Sequence, residues 1–189
     1  MRVSKAQVQL NRAHIVETAS KLFRERGYDG VGVADLMAAA GFTHGGFYKH
    51  FGSKADLMAQ AAASGFSQSL TNSVGLGATA FFDLYVSREH RDARSLGCTM
   101  AALCGDAARQ SEEVKTTFAQ GIENALAALE RGDAEQDETS RHTRREEMIN
   151  RLAHAVGAVV LSRACPDDSP LADEILDVCR REMLAALTS

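Results

Sequence analysis

The stretch Val33-Ala34-Asp35-Leu36-Met37-Ala38-Ala39-Ala40-Gly41-Phe42-Thr43-His44-Gly45-Gly46-Phe47-Tyr48-Lys49-His50-Phe51 decides the fold. It reads as two short helices around a glycine turn. Val33, Leu36 and Met37 recur at i, i+3, i+4 and give the first helix an apolar stripe, which Gly41 ends by taking the left-handed position. Thr43 is placed to cap the second helix. Gly45 and Gly46 each cost about 1 kcal/mol in a helix interior relative to Ala, so helix stability is not what put them there. Two adjacent glycines strip one face of bulk and admit another surface, while Tyr48, Lys49 and His50 bring a hydroxyl and cationic or titratable heads. A helix-turn-helix docking on a DNA backbone needs this combination.

The pattern extends to both sides. Gly27-Tyr28, Val33-x-x-Leu36, Ala40-Gly41-Phe42-Thr43, Gly45-x-Phe47-Tyr48-x-His50-Phe51 and Ser53-Lys54-x-x-Leu57 together resemble the DNA-binding head of TetR-family transcriptional regulators. The resemblance covers about the first third of the chain and departs from the usual family pattern at Gly32, His44 and Gly46. It implies an all-α fold, with a three-helix head over residues 1–52 and a larger helical effector-binding and dimerisation body over 53–189. Residues 53–71 form the connecting helix. It also implies DNA contacts from Thr43, His44, Gly45, Gly46, Tyr48, Lys49, His50 and Lys54. Which of His44 and Lys49 specifies sequence stays open.

Charge is divided along the chain. Residues 1–55 hold eight Lys/Arg against four Asp/Glu, a balance of +4, and the remainder holds thirteen against twenty-one, or -8. A basic head on an acidic body suits phosphate binding by an otherwise acidic protein. The 189 residues are enough for a sizeable core, and 45% apolar with 24% charged residues is ordinary for a globular protein. No apolar run reaches membrane-spanning length and no secretory h-region opens the chain, so the expected location is cytoplasmic, without a membrane partner.

Outside the head the periodicity predicts helices throughout. A polar, basic arm over residues 1–12 leads into a helix from about Gln7 to Arg26, and Ser53 caps the connecting helix, with Lys54 in its first turn. A cation is disfavoured at a helix N-terminus, so Lys54 calls for an anion, which the resemblance identifies as a phosphate. Asn72 to Gly77 is a turn, a short helix carries Phe81 to Val86, Glu89 to Leu96 reads as a polar loop, and a helix follows from Gly97 towards Gln110. Another starts near Ser111. Gly132 to Ser140 reads as a solvated loop, and two long helices, about Arg141 to Ala164 and Ser169 to Leu187, close the chain around a Cys165–Asp168 turn.

In proteins of this resemblance a small molecule enters among the central helices and pivots the connecting helix. The two recognition helices then no longer match successive major grooves, about 34 Å apart. Candidate pocket residues are Phe66, Phe82, Tyr85, Met100, Leu103, Cys104, Phe118 and Ile122, whose character suggests a small apolar or aromatic effector. The small and apolar residues on several faces of the penultimate helix suggest a two-fold four-helix interface, carried by Leu152, Val156, Val159, Val160, Ile175, Val178 and Cys179.

The four cysteines form no Cys-x-x-Cys pair and the six histidines do not cluster, so no metal or other cofactor is expected. Gly65-Phe66-Ser67-Gln68-Ser69 lacks the closing Gly of a nucleophile elbow, and Gly45-Gly46 lacks the other residues of a phosphate loop. The chain therefore reads as no enzyme: it reads as a homodimeric repressor of a palindromic DNA operator. Three rivals remain: a thiol sensor using Cys98 or Cys104, a helical enzyme or ligand-binding protein that has lost DNA binding, and a protein-interaction module using the head as a docking surface.

Overall fold

In the computed structural model, which describes residues 4–130 and 138–188, all regular elements among the described residues are helices. The first, α1 (Lys5–Arg26), starts two residues earlier than its periodicity suggests, because the Ser4 hydroxyl caps it by accepting from the Gln7 amide at 3.1 Å. The basic arm is therefore helical from Lys5 on. Gly27, at φ 74°, ends α1, with its amide donating to the Phe23 carbonyl at 2.8 Å.

Next come α2 (Val33–Ala39) and a 3-10 helix, His44–Lys49. Gly41 at φ 79° makes the turn between them. Ile15, Ala19 and Phe23 of α1 share the buried core with Leu36 and Met37 of α2 and with Phe47 and Phe51. We call these N-terminal elements the head and the helices that follow the body.

The body begins with α3 (Lys54–Asn72), capped by the Ser53 hydroxyl, which accepts from the Asp56 amide at 3.0 Å. It continues through α4 (Ala78–Tyr85), α5 (Arg88–Asp92), α6 (Thr99–Ala107), α7 (Glu112–Glu130), α8 (Glu138–Ala164) and α9 (Pro170–Thr188). The expected polar loop over 89–96 thus contains a helix, α5. Its N-cap is Ser87, whose hydroxyl accepts from the His90 amide at 3.1 Å, and an all-polar five-residue helix has no apolar period by which to recognise it. The solvated loop expected over 132–140 lies mostly outside the described residues, and α8 is already helical at Glu138.

Helix α3 packs on both α1 and α7 and so joins head to body. Small residues let it do so. A Cβ on Gly121 of α7 would overlap the Phe66 ring, and one on Gly65 would overlap the Thr99 hydroxyl and stand 2.5 Å from the Arg24 guanidinium. Phe66 then meets Phe118 edge to face at 5.3 Å. Helices α8 and α9 pair with each other, and Arg180 of α9 ties down α4 through Asp83 at 2.7 Å.

Two arginines, Arg91 buried and Arg163 half-buried, bind α5 to α8 reciprocally. Arg91 of α5 donates to the Ser162 hydroxyl at 3.0 Å and to the Ser162 carbonyl at 3.1 Å, near the end of α8. Arg163 of α8 donates to the His90 and Arg91 carbonyls at the end of α5, both at 2.9 Å. Each guanidinium thus reaches carbonyls in the last turn of the other helix, where a cation also suits the helix dipole.

Candidate nucleic-acid interface

The 3-10 helix is held from below and open above. Phe47 and Phe51 are 1% and 2% exposed, with ring centroids 5.5 Å apart, and Tyr48 between them is 71% exposed. Thr43, His44, Gly45 and Lys49 are exposed with Tyr48, so the helix presents a hydroxyl, a phenol, an imidazole and an ammonium on a rigid base. Arg12 of α1 fixes its far end. The Arg12 side chain donates to the His50 carbonyl at 3.2 Å and lies 5.2 Å over the Phe51 ring.

Several expectations are corrected here. The segment is a 3-10 helix rather than a second α-helix, and Thr43 occupies its N-cap by backbone alone, without a side-chain hydrogen bond. Gly45 and Gly46 do not share a bare face: a Cβ on Gly45 would meet open space, whereas one on Gly46 would touch the Met37 methyl at 3.6 Å. His50 is half-buried beside Phe42 and Phe51, with its Nδ1 buried and unpartnered. Lys54 already has a partner within the chain. Its ammonium donates to the Tyr28 carbonyl at 2.6 Å, so a backbone oxygen supplies the partner its place in α3 requires.

The residues read as a pocket wall surround α6. Phe66, Phe82, Tyr85, Met100, Leu103 and Phe118 are buried, and Cys104 and Ile122 are half-buried. The interior is more polar than the sequence implies. The Tyr85 and Thr99 hydroxyls are buried without partners, and burial beside Cys98 holds the Tyr85 phenol well above its ordinary range. His90 bridges two backbone groups, Nδ1 to the Tyr85 carbonyl at 2.7 Å and Nε2 to the Cys98 amide at 2.9 Å. Since Nε2 accepts, the ring is neutral with its proton on Nδ1, and burial pushes its pKa down. Burial likewise pushes the Cys104 thiol up to about 11, which keeps it from serving as a thiolate near neutrality.

The residues read as a dimer face separate into two sets. Leu152 and Val159 are buried in the protomer's own core. Val156, Ile175 and Cys179 are half-buried, whereas Val160 and Val178 are 43% and 41% exposed. Ile149, Ala153, Val156, Val160 and Ala164 lie on one outward stripe of α8, and Leu171, Ile175 and Val178 on one of α9. Gly157 adjoins the α8 stripe, and a Cβ there would meet open space.

Four further residues that the sequence does not flag matter here: Arg12, Arg24, His90 and Asp106. Each acts through a backbone group, near by for His90 and 38 to 78 residues away for the other three, and no spacing signal reveals such a contact. Among the described residues no three His, Cys, Asp or Glu side chains gather as a metal site, and no helix is long and apolar enough to cross a membrane.

With this geometry in hand, likeness to known proteins is informative. The family described as bacterial regulatory proteins, tetR family, matches residues 15–61. The transcriptional repressor DhaR of Mycobacterium sp. (strain GP1) is 51% identical over 43 residues, covering 23% of this chain and 22% of DhaR. The transcriptional regulator TtgR of Pseudomonas putida is 40% identical over 58 residues, covering 31% of this chain and 28% of TtgR. The chain therefore spans about a quarter of the length of these relatives. Whole-chain likeness is to folds. The reduced form of NemR from E. coli superposes with a TM-score of 0.68 at 20% identity, over 92% of this chain and 94% of that one. A TetR-family regulator from Cytophaga hutchinsonii gives 0.69 at 18%, over 98% of each.

Proposed function

Because the chain belongs through its head to the tetR family of bacterial regulatory proteins, we propose that it is a DNA-binding transcriptional repressor, cytoplasmic and not an enzyme, acting as a homodimer on a palindromic operator. The observation that carries this is the exposed set Thr43, His44, Gly45, Tyr48 and Lys49 on a 3-10 helix anchored by Phe47 and Phe51. Exposed hydroxyl, phenol and ammonium groups suit phosphates and base edges, and Gly45 lets the helix backbone come close. Gly46 and His50 support that surface from its edge. Residues 1–52 form the reading domain and 53–189 the effector-binding and dimerisation domain, with 53–71 as the link.

The outward stripes of α8 and α9 supply the self-association surface, with Gly157 and Ala153 allowing helices of two copies to approach closely. Leu152 and Val159 support it from within. The effector is a small aromatic molecule bearing one or two hydrogen-bonding groups, since the interior offers the unpartnered Tyr85 and Thr99 hydroxyls beside Phe82, Met100, Leu103 and Phe118. Selection from a random DNA pool at near-physiological salt tests the reading. Recovery of one palindrome is expected, and recovery of unrelated sequences with binding insensitive to salt would overturn it.

One observation favours a second reading, a thiol switch at Cys98. The guanidiniums of buried Arg24 and half-buried Arg163 lie within electrostatic reach of Cys98, and the Tyr85 hydroxyl stands next to it. Under this reading an alkylating agent releases the operator and Cys98→Ser prevents release, while Cys104→Ser does not. Release that persists in Cys98→Ser would exclude it.

A further inference from the structure

The last turn of α1 is fastened to the body at both ends of one short helix. Before α6, the Ser95 carbonyl receives two hydrogen bonds from the buried Arg24 guanidinium, at 2.9 and 2.6 Å, and Ser20 receives a third at 2.7 Å. At the other end, Asp106 of α6 accepts from the Tyr28 amide at 2.9 Å. Asp106 stands one residue from the C-terminus of α6, where the helix dipole disfavours a carboxylate. Arg109 offsets this only in part, by an exposed contact at 3.0 Å. The position is thus one that helix energetics alone would not fill with Asp. Gly27 confirms how close the approach is, because a Cβ there would stand 2.7 Å from the Asp106 carboxylate in a left-handed backbone that already favours glycine.

The same residue is gripped from the opposite side. The Tyr28 carbonyl accepts from Lys54 in the first turn of α3, while the Tyr28 ring is fully buried against Phe23 at 4.9 Å. We propose that Asp106 and Lys54 are positioning residues that clamp the Tyr28 backbone between α6 and α3, fix the angle of the head on the body, and so set the operator spacing a dimer accepts. The inference rests on the proposed DNA-binding reading, since a spacing preference presupposes an operator.

The test uses the full chain and the palindrome recovered from the random pool, alongside versions with two base pairs inserted or deleted at its centre. Affinities are measured by fluorescence anisotropy over a series of salt concentrations, with thermal unfolding in parallel. Asp106→Ala is expected to weaken binding to the native spacing about tenfold and to reduce the preference over altered spacings by a similar factor, with a near-unchanged melting temperature. Asp106→Asn, which keeps an acceptor oxygen, restores most of both. Lys54→Met should lose the preference in the same way. This second variant reads the clamp even if Asp106→Ala fails to fold. A spacing preference unchanged in both variants would overturn the clamp alone. A wild type that recovers no palindrome would overturn the clamp and the DNA-binding reading together.

Discussion

The head and the body are held together by different physics. In the head, Ile15, Phe23, Leu36, Met37, Phe47 and Phe51 make a core of apolar side chains, and its glycine turns fall where a left-handed backbone is required. Around α5 and α6 the body relies instead on buried polar groups: Arg91 at 1% exposure, the His90 bridge and two hydroxyls without partners. An apolar core is tolerant of small displacements, whereas a polar interior is satisfied in one arrangement and costly in others. A reading head needs constancy, and a body that answers a ligand needs arrangements that a new hydrogen-bonding group can shift.

The sharpest way to break this contrast is to injure each region by its own logic. Phe47→Ala removes the ring under the 3-10 helix and should cost about 4 kcal/mol in denaturant unfolding, with loss of DNA binding. Arg91→Ala removes the donor to the Ser162 hydroxyl and to the Ser162 and Cys165 carbonyls, besides the packing of its own stem, and should cost about 3 kcal/mol. Arg91→Lys should recover little, since one ammonium cannot span the same carbonyls. If Arg91→Ala were neutral, the polar account of the body would fail.

Gly121→Ala comes next, at about 2 kcal/mol, because the added methyl must displace the Phe66 ring at the α3–α7 contact. The smallest effect is the most diagnostic of the body. The folded-state pKa of His90 is pushed down by burial, so between that value and the unfolded one near about 6.5 the unfolded chain binds more protons. The stability His90 contributes is thus complete above the unfolded value and is lost as pH falls through the folded one. The stability gap between wild type and His90→Ala should narrow between pH 7.5 and pH 5. A gap that widens on acidification would mean that the ring is charged in the fold.

The same contrast explains what was legible in the sequence. The head could be read because glycine, aromatic and apolar positions report local backbone geometry, as Gly41 and the Phe47–Phe51 pair do. Even there the two adjacent glycines tightened the second helix to 3-10 and pointed in different directions, which residue types alone do not specify. The body was legible as helices from its periodicity but not in its contacts. Helix α5 has no apolar stripe, the Arg91–Arg163 exchange joins residues some seventy apart, and Leu152 and Val159 differ from Val156 and Val160 only by which side of α8 they occupy. A helix apolar on several faces does not reveal which face its own protomer covers.

The most direct test of the central claim compares wild type with the Tyr48→Ala, Lys49→Ala double variant on the selected palindrome, by anisotropy and thermal unfolding together. Both side chains are exposed, so the account predicts an affinity loss of at least about tenfold with a melting temperature within a few degrees of wild type. Equal affinity for the palindrome, or a loss that only tracks unfolding, would contradict the assignment of this surface to DNA.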